Sequence, residues 1–238
     1  MLILILSTPR SGSHYYSECV QEQHPNSIVM HEVLSRAYKD VYLKTIGELE
    51  YSNQYEDGYY YEDLQDDMLI RRYSPRPDKE LFFNMMLKEL EFSNKTYILH
   101  EQVSLLPDHW IEKLIKFASN STYLKRENRK EQLASRLIAG YTSVYVVRPN
   151  YKLCHGDRSN IHLYDIEKFT ESIATKKLVS ALLTIYKDAD NRMKDMETVV
   201  YESIPKKNNT HATKLFASSF DRLCEQDQNL INSLIDSN

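Results

Sequence analysis

The sequence predicts an α/β fold in which a central, mostly parallel β-sheet lies between two layers of helices. Short apolar runs bounded by turns predict strands at residues 1–6, 27–31, 96–100, 121–125 and 197–201. Between them, apolar residues recur at helical spacing over residues 13–23, 80–91, 108–118, 128–142, 165–196 and 211–235. Because strands alternate with helices, consecutive strands are joined by crossovers and run parallel. The first run is apolar throughout, which is typical of a parallel strand covered on both faces.

The length of 238 residues is enough to bury one sizeable core, so we expect a single domain over residues 1–238. One segment, residues 47–67, interrupts the alternation. It holds eight acidic residues and five tyrosines, with no lysine or arginine. Two interpretations stay open for it: a solvated insertion, or a flap whose tyrosines stack on a ring of an acceptor molecule.

Composition excludes several classes of protein. The net charge of −4 gives no reason to expect a nucleic-acid partner, so an anion site would have to be built locally. Cys19, Cys154 and Cys224 lie far apart and without metal-ligand spacing, which predicts reduced thiols and a cytoplasmic protein. The first apolar run is too short for a signal peptide or a membrane span, so we expect no transmembrane segment. The oligomeric state stays open.

The N-terminal loop, residues 7–15 (STPRSGSHY), connects the first predicted strand to the first predicted helix. Because the helix begins near Ser13, its free backbone N–H groups and the positive end of its dipole point at the loop. Gly12 allows close approach of a ligand, and Arg10 adds a permanent cation with forked donors. Ser11 and Ser13 add hydroxyl groups. This pattern predicts an anion site.

The nucleotide-binding pattern G-x-x-x-x-G-K-[ST] is absent from the loop. No glycine opens it, and His14 follows Gly12 by two residues with no lysine between them. A magnesium-dependent NTPase or kinase is therefore disfavoured, although a degenerate P-loop protein stays an alternative. A second alternative is a plain turn that caps a helix.

The hexapeptide at residues 8–13 (TPRSGS) resembles the 5′-phosphosulfate loop of sulfotransferases, x-P-[KR]-S-G-[ST]. The arginine form is typical of bacterial carbohydrate sulfotransferases that act on trehalose or Nod factors. The resemblance implies a three-layer P-loop NTPase-like fold and the donor 3′-phosphoadenosine 5′-phosphosulfate (PAPS), with adenosine 3′,5′-bisphosphate as product. It implies no metal. The donor contacts that it implies are Pro9, Arg10, Ser11, Gly12, Ser13, His14 and Tyr15.

A second motif, R-x-N-x-x-x-Q-x-x-S at residues 126–135, follows a predicted strand. It resembles the 3′-phosphate element of the same branch, which implies that Arg126 and Ser135 bind that phosphate. The Arg-to-Ser spacing of nine is one longer than in the animal cytosolic enzymes. Arg129 and Lys130 are more simply solvated surface charges. Residues 199–204 (VVYESI) resemble a late strand end of the family, whose role there is mainly architectural.

Sulfuryl transfer is an in-line displacement in which an acceptor hydroxyl attacks sulfur and a phosphate leaves. The resemblance implies that Arg10 stabilises the leaving phosphate, and that the acceptor is a sugar or glycolipid. A catalytically silent member of the family is a further alternative. The polar residues 148–160 form either an acceptor-site wall or a plain surface loop.

A general base is expected at the carboxyl end of a strand, where ligands bind in parallel sheets. Glu32 ranks first, because its position after the second strand resembles that of the carboxylate proposed as base in bacterial members. His100 or His31 comes next, since the ordinary pKa of histidine suits a base at neutral pH. Glu101 ranks last. The predicted catalytic residues are thus Arg10, Glu32 and His100, and no metal site is predicted.

Overall fold

A computed structural model describes residues 1–34, 59–65, 68–74, 79–142, 144–147, 154–156, 166–205 and 218–237. Contacts along the chain define two compact units. The first unit comprises Met1–Lys125 and Ile185–Val199, and the second comprises Arg126–Thr184 and Val200–Asn238. The expected single domain over residues 1–238 stays a prediction.

The strands are β1 (Leu2–Ser7), β2 (Ile28–His31), β3 (Tyr59–Gln65), β4 (Met68–Ser74), β5 (Tyr97–Gln102), β6 (Asn120–Lys125), β7 (Val144–Val147), β8 (Cys154–Gly156) and β9 (Thr198–Val200). The helices are α1 (Ser13–Gln23), α2 (Lys79–Phe92), α3 (Asp108–Phe117), α4 (Arg129–Thr142), α5 (Lys176–Arg192) and α6 (Glu225–Asp236). Two single turns of 3₁₀-helix follow strands, at Val103–Leu105 and Tyr201–Ser203.

A five-stranded parallel sheet with the order β2-β5-β1-β6-β9 forms the centre of the fold, which confirms the predicted α/β class. Every residue of β1 is buried, as expected for a strand with both faces covered. On one face Leu4 and Leu6 pack in a core that includes Phe83 of α2 and Trp110 of α3. On the other face α1 contacts β1, β2 and β5.

The order in which the chain adds strands to the sheet reverses at β1. After β1 the chain runs to β2 at one edge of the sheet, whereas after β6 it goes on to β9 at the other edge. Connections from two neighbouring strands therefore leave in opposite directions. In open α/β sheets the crevice at the carboxyl ends of such strands is where ligands bind. The N-terminal loop begins at this point, because it leaves the carboxyl end of β1.

The second unit contains α4, the antiparallel pair β7–β8, the first part of α5, and α6. Helix α4 contacts β7 and α6. In the second unit, two buried polar side chains also form hydrogen bonds with the backbone of a segment that is neither helix nor strand. Arg222 donates to the carbonyl of Ile166 from Nε at 3.1 Å, and Asp227 accepts from the backbone N–H of Ile173 at 2.8 Å.

Those hydrogen bonds explain why two of the predicted helices are longer than the observed ones. Helix α5 begins at Lys176 rather than near residue 165, and residues 218–224 form turns before α6. The periodicity over residues 165–175 is compatible with a helix, but Arg222 and Asp227 satisfy backbone groups there in a non-helical conformation. Residues 211–217 of the predicted last helix lie outside the described residues. The prediction for α1 was correct at both ends.

Two antiparallel pairs of strands were not predicted from the sequence. Strand β3 pairs with strand β4, and Glu62 is in register with Arg71. Residues 59–65 of the acidic segment therefore lie opposite a strand that contains two arginines. Residues 47–58 and 66–67 of that segment lie outside the described residues. Residues 148–160 were predicted to be a loop, but Cys154–Gly156 within them form β8, which pairs with β7. Residues 148–153 and 157–160 are also outside the described residues.

None of the helices in the described ranges combines the length and the apolar composition that are needed to cross a bilayer. Cys19 and Cys224 are free thiols.

Candidate functional site

The N-terminal loop joins the buried end of β1 to α1. Gly12 is the N-cap of α1 in a left-handed conformation (φ 84°, ψ 21°), and it has no side chain to accept from the helix. The first turn contains no acidic residue. The first helical hydrogen bond runs from the backbone N–H of Tyr16 to the carbonyl of Gly12 at 3.0 Å. A helix start with these features presents backbone donors and a positive dipole end, which suits an anion.

Ser11 stabilises the loop through its side chain. Its Oγ donates to the carbonyl of Thr8 at 2.8 Å, and both residues are buried. The hydroxyl proton is therefore used within the loop, and the donor contact predicted for Ser11 falls to its backbone N–H. Ser13 is also buried.

Two residues near the loop have strained backbones. Arg10 (φ 62°) and Glu32 (φ 54°) are the non-glycine residues with positive φ in the part of the chain that the structure describes. This conformation costs about 1–2 kcal/mol for a residue with a Cβ atom. Such strain persists where the surrounding structure imposes it, and it is concentrated at functional sites. The two strained residues are the same two that the sequence ranks first for catalysis, and their catalytic roles stay predictions.

Glu32 is fixed at the end of β2 by the neighbouring strand β5. Its backbone N–H donates to the carbonyl of His100 at 2.7 Å, and its Oε1 accepts from Nε2 of Gln102 at 2.6 Å. Sequence reasoning missed Gln102, because nothing in the sequence shows that β2 and β5 are neighbours. The carboxylate of Glu32 is thus held at the carboxyl edge of the sheet, the edge from which the N-terminal loop leaves.

His100 is fully buried on β5, with Nε2 at 2.8 Å from Oγ of Ser7. Burial, followed by the nearby His14, lowers the pKa of His100 to about 3. An imidazole with so low a pKa accepts a proton poorly at neutral pH. This argues against His100 as general base and leaves Glu32 as the first candidate. Glu101 is buried and accepts from the backbone N–H of Leu34 at 2.7 Å, which is a structural role.

Three histidines meet at the carboxyl ends of the strands, and we call His14, His31 and His100 the histidine cluster. His31 and His100 are register partners on β2 and β5, so their side chains lie on the same face of the sheet. His14, in the first turn of α1, stacks on His31 with ring centroids 4.2 Å apart. The His100 ring lies edge-on to His14 and His31, at 6.0 and 5.7 Å.

Arg126 and Ser135 lie in the second unit. Arg126 directly follows β6, and its Nε lies 3.7 Å from Oε1 of Glu202. Its Nη2 lies 3.9 Å from Oε2 of Glu131, and the guanidinium stacks over the Tyr201 ring at 5.2 Å. Arg126 thus bridges the start of α4 and the Tyr201–Ser203 turn, and its phosphate contact stays a prediction. Ser135 is half-buried in α4.

Glu202, one of the two acidic neighbours of Arg126, also binds the backbone beside it. Its two carboxylate oxygens accept from the backbone N–H groups of Glu127 and Asn128, each at 3.1 Å, so Glu202 holds the two residues that precede α4. Asn128 itself caps the helix, because its Oδ1 accepts from the backbone N–H of Glu131 at 3.1 Å. Burial alone would raise the pKa of Glu202, but these backbone hydrogen bonds outweigh it and the pKa is lowered. The motif at residues 199–204, which the resemblance marks as architectural, therefore anchors a helix here.

No known protein-family model matches this chain, and no curated protein matches it at a significant level of similarity. The features that bear on function are therefore the motifs and the geometry of the first unit. That unit brings together the N-terminal loop, Glu32 and the histidine cluster.

Proposed function

We propose that this protein is a sulfotransferase that moves a sulfuryl group from PAPS to an acceptor hydroxyl, and that its α/β fold is of the P-loop NTPase-like type. The observation that carries the proposal is the N-terminal loop. It leaves the central strand at the point where the chain changes direction, and it leads into a glycine-capped helix. Its sequence has the pattern of a 5′-phosphosulfate loop.

The residues of the loop fit the 5′-phosphosulfate group. Gly12 has no Cβ in the position where the backbone would contact the ligand, and the backbone N–H groups at the start of α1 are suited to its oxygens. When bound, PAPS supplies an activated sulfuryl group on a phosphate that gains negative charge as it leaves. Arg10, whose backbone is held in a left-handed conformation, supplies the fixed positive charge for that phosphate.

Glu32 is the best candidate for the base that accepts the proton of the acceptor hydroxyl. It is half-buried, lies at the carboxyl edge of the sheet and is oriented by Gln102. A carbohydrate or glycolipid acceptor is proposed on the resemblance alone. The second candidate function, a degenerate P-loop nucleotide-binding protein or kinase, lacks the lysine that would contact nucleotide phosphates.

Binding of adenosine 3′,5′-bisphosphate tests the proposal. We expect the bisphosphate to raise the thermal midpoint of the protein in EDTA without magnesium, because a ligand that binds only the native state stabilises it by mass action. At a concentration 100 times the Kd the gain is about 2.7 kcal/mol. A response to magnesium-ATP with none to the bisphosphate would overturn the sulfotransferase proposal in favour of the second candidate.

A matched pair of glycine variants locates that binding. Gly12→Ala adds a Cβ at a left-handed position in the loop, so we expect it to weaken bisphosphate binding. Gly140→Ala makes the same chemical change within α4, where alanine favours the helix. Bisphosphate binding that survives Gly12→Ala unchanged would place the ligand elsewhere.

Arg126→Ala tests the predicted 3′-phosphate contact. A hydrogen bond to a charged group contributes about 1.5–3 kcal/mol, so we expect bisphosphate affinity to fall roughly 10- to 100-fold. Affinity for adenosine 5′-phosphosulfate, which has no 3′-phosphate, should change little. Lys130→Ala removes a charge from the same helix start and serves as the control. Equal losses for both ligands would mean that Arg126 acts only through its contacts with Glu131 and Glu202.

A further inference from the structure

We propose that the histidine cluster binds a divalent transition-metal ion of the Zn²⁺ type. One ring nitrogen from each of His14, His31 and His100 lies within 4.8 Å of the other two. Three histidines are a known catalytic zinc set, in which a fourth position takes water or substrate. This site goes beyond the proposed function, which requires no metal.

The spacing of the nitrogens is close to what a metal requires. Tetrahedral zinc with Zn–N bonds of 2.0–2.1 Å places its ligand atoms about 3.3 Å apart. The cluster therefore has to contract by about 1.5 Å at most, relative to the 4.8 Å limit. The rings of His14 and His31, which stack with centroids 4.2 Å apart, must also turn, because an imidazole binds a metal through a lone pair in the plane of its ring. His31 and His100 are adjacent on paired strands and His14 is in the first turn of α1, so rotation about their side-chain bonds is the motion that the proposal requires.

His100 carries a second, independent sign of a missing ligand. Its side chain is fully buried, and Nδ1 has no hydrogen-bond partner among the described residues. A buried polar atom without a partner costs about 1–3 kcal/mol, and such atoms are rare in native proteins. In the tautomer in which Nε2–H donates to Oγ of Ser7, Nδ1 carries a lone pair for a metal. A hydrogen bond on the other ring nitrogen is the usual way in which a metal-binding histidine is oriented.

The ligand set determines the class of ion. Three imidazoles with no carboxylate in the group favour zinc, cobalt, nickel or copper over calcium and magnesium, which prefer oxygen ligands. Because His14 follows Gly12 by two residues, the ion would lie beside the N-terminal loop.

Metal titration of the full-length, tag-free protein tests this proposal. After treatment with a chelator, the protein should bind one Zn²⁺ per chain in competition with a chromophoric chelator. Co²⁺ should give the visible absorption of a tetrahedral nitrogen site. Binding of much less than one ion per chain, or cobalt spectra of a hydrated octahedral ion, would overturn the proposal.

Histidine variants assign the ligands. We expect His14→Gln and His31→Gln each to weaken Zn²⁺ at least tenfold, since removing a ligand costs at least as much as removing a group that supports one. His24→Gln, at the other end of α1, is the matched control and should bind like the unchanged protein. Equal affinity in all three variants would refute the assignment. These two side chains are half-buried, so the test does not depend on replacing fully buried His100.

The metal experiment and the bisphosphate experiment can fail separately. Bisphosphate binding is measured in EDTA, whereas metal binding is measured without nucleotide. Loss of Zn²⁺ binding in His31→Gln with bisphosphate binding retained would support two distinct ligands at this edge of the sheet.

Discussion

Arg10→Ala is expected to lower sulfuryl-transfer turnover roughly 100- to 1,000-fold while donor affinity changes much less. The arginine is proposed to act on charge that develops only as the phosphate leaves, so its loss raises the barrier more than it weakens the ground state. Single-turnover rates and bisphosphate affinity, measured on the same preparation, separate the two effects. Unchanged turnover would remove Arg10 from the transition state.

Arg10→Gly distinguishes the side chain from the backbone. Both variants remove the guanidinium, but only glycine adopts φ 62° without strain. Arg10→Gly should therefore match Arg10→Ala in turnover and exceed it in free energy of unfolding by about 1 kcal/mol. Equal or lower stability of Arg10→Gly would contradict this prediction, because relief of the left-handed strain would then not exceed the entropy that glycine adds to the unfolded chain.

Buried His100 is expected to make the metal-free protein sensitive to acid. Its folded pKa of about 3 lies below the ordinary value of 6.5, so the unfolded chain binds a proton that the folded chain does not. The stability is therefore fully present above pH 6.5 and is lost progressively as the pH falls from 6.5 toward 3. The complete loss is on the order of 5 kcal/mol.

Urea unfolding at several pH values between 4 and 7, in the presence of a chelator, measures this effect. The free energy of unfolding should fall by up to about 1.4 kcal/mol per pH unit through the titration of this one group. In His100→Gln the slope of the unfolding free energy against pH should fall by the contribution of one proton, whereas His24→Gln should keep the original slope. A slope that His100→Gln leaves unchanged would contradict the prediction, because the proton uptake would then belong to another group.

Most of the N-terminal loop could be predicted from the sequence. Its parts are local: an apolar run that ends at Leu6, a glycine at the helix start and a helical pattern that follows. The structure bears out the strand and the helix, and it adds that Gly12 is left-handed. The left-handed conformation of Arg10 and Glu32 was beyond sequence reasoning, since neither residue type favours it.

The surroundings of the predicted site residues could not be predicted in the same way. His31 and His100 are far apart in the sequence, and they meet because β2 pairs with β5 in a register that aligns them. The same pairing brings Gln102 to Glu32. Arg126 was predicted as a phosphate ligand from its motif, whereas its contacts with Glu131 and Glu202 depend on distant segments.

The sequence by itself determined the α/β class and the buried first strand, and it predicted an anion site at the N-terminal loop. These features follow from periodicity and turn chemistry within a few residues. The tertiary structure alone decided that His31 and His100 share one face of the sheet beside His14 of α1, and that His100 is buried beside Ser7. The physical reason is that strand order and register are set by long-range packing, which local patterns do not encode.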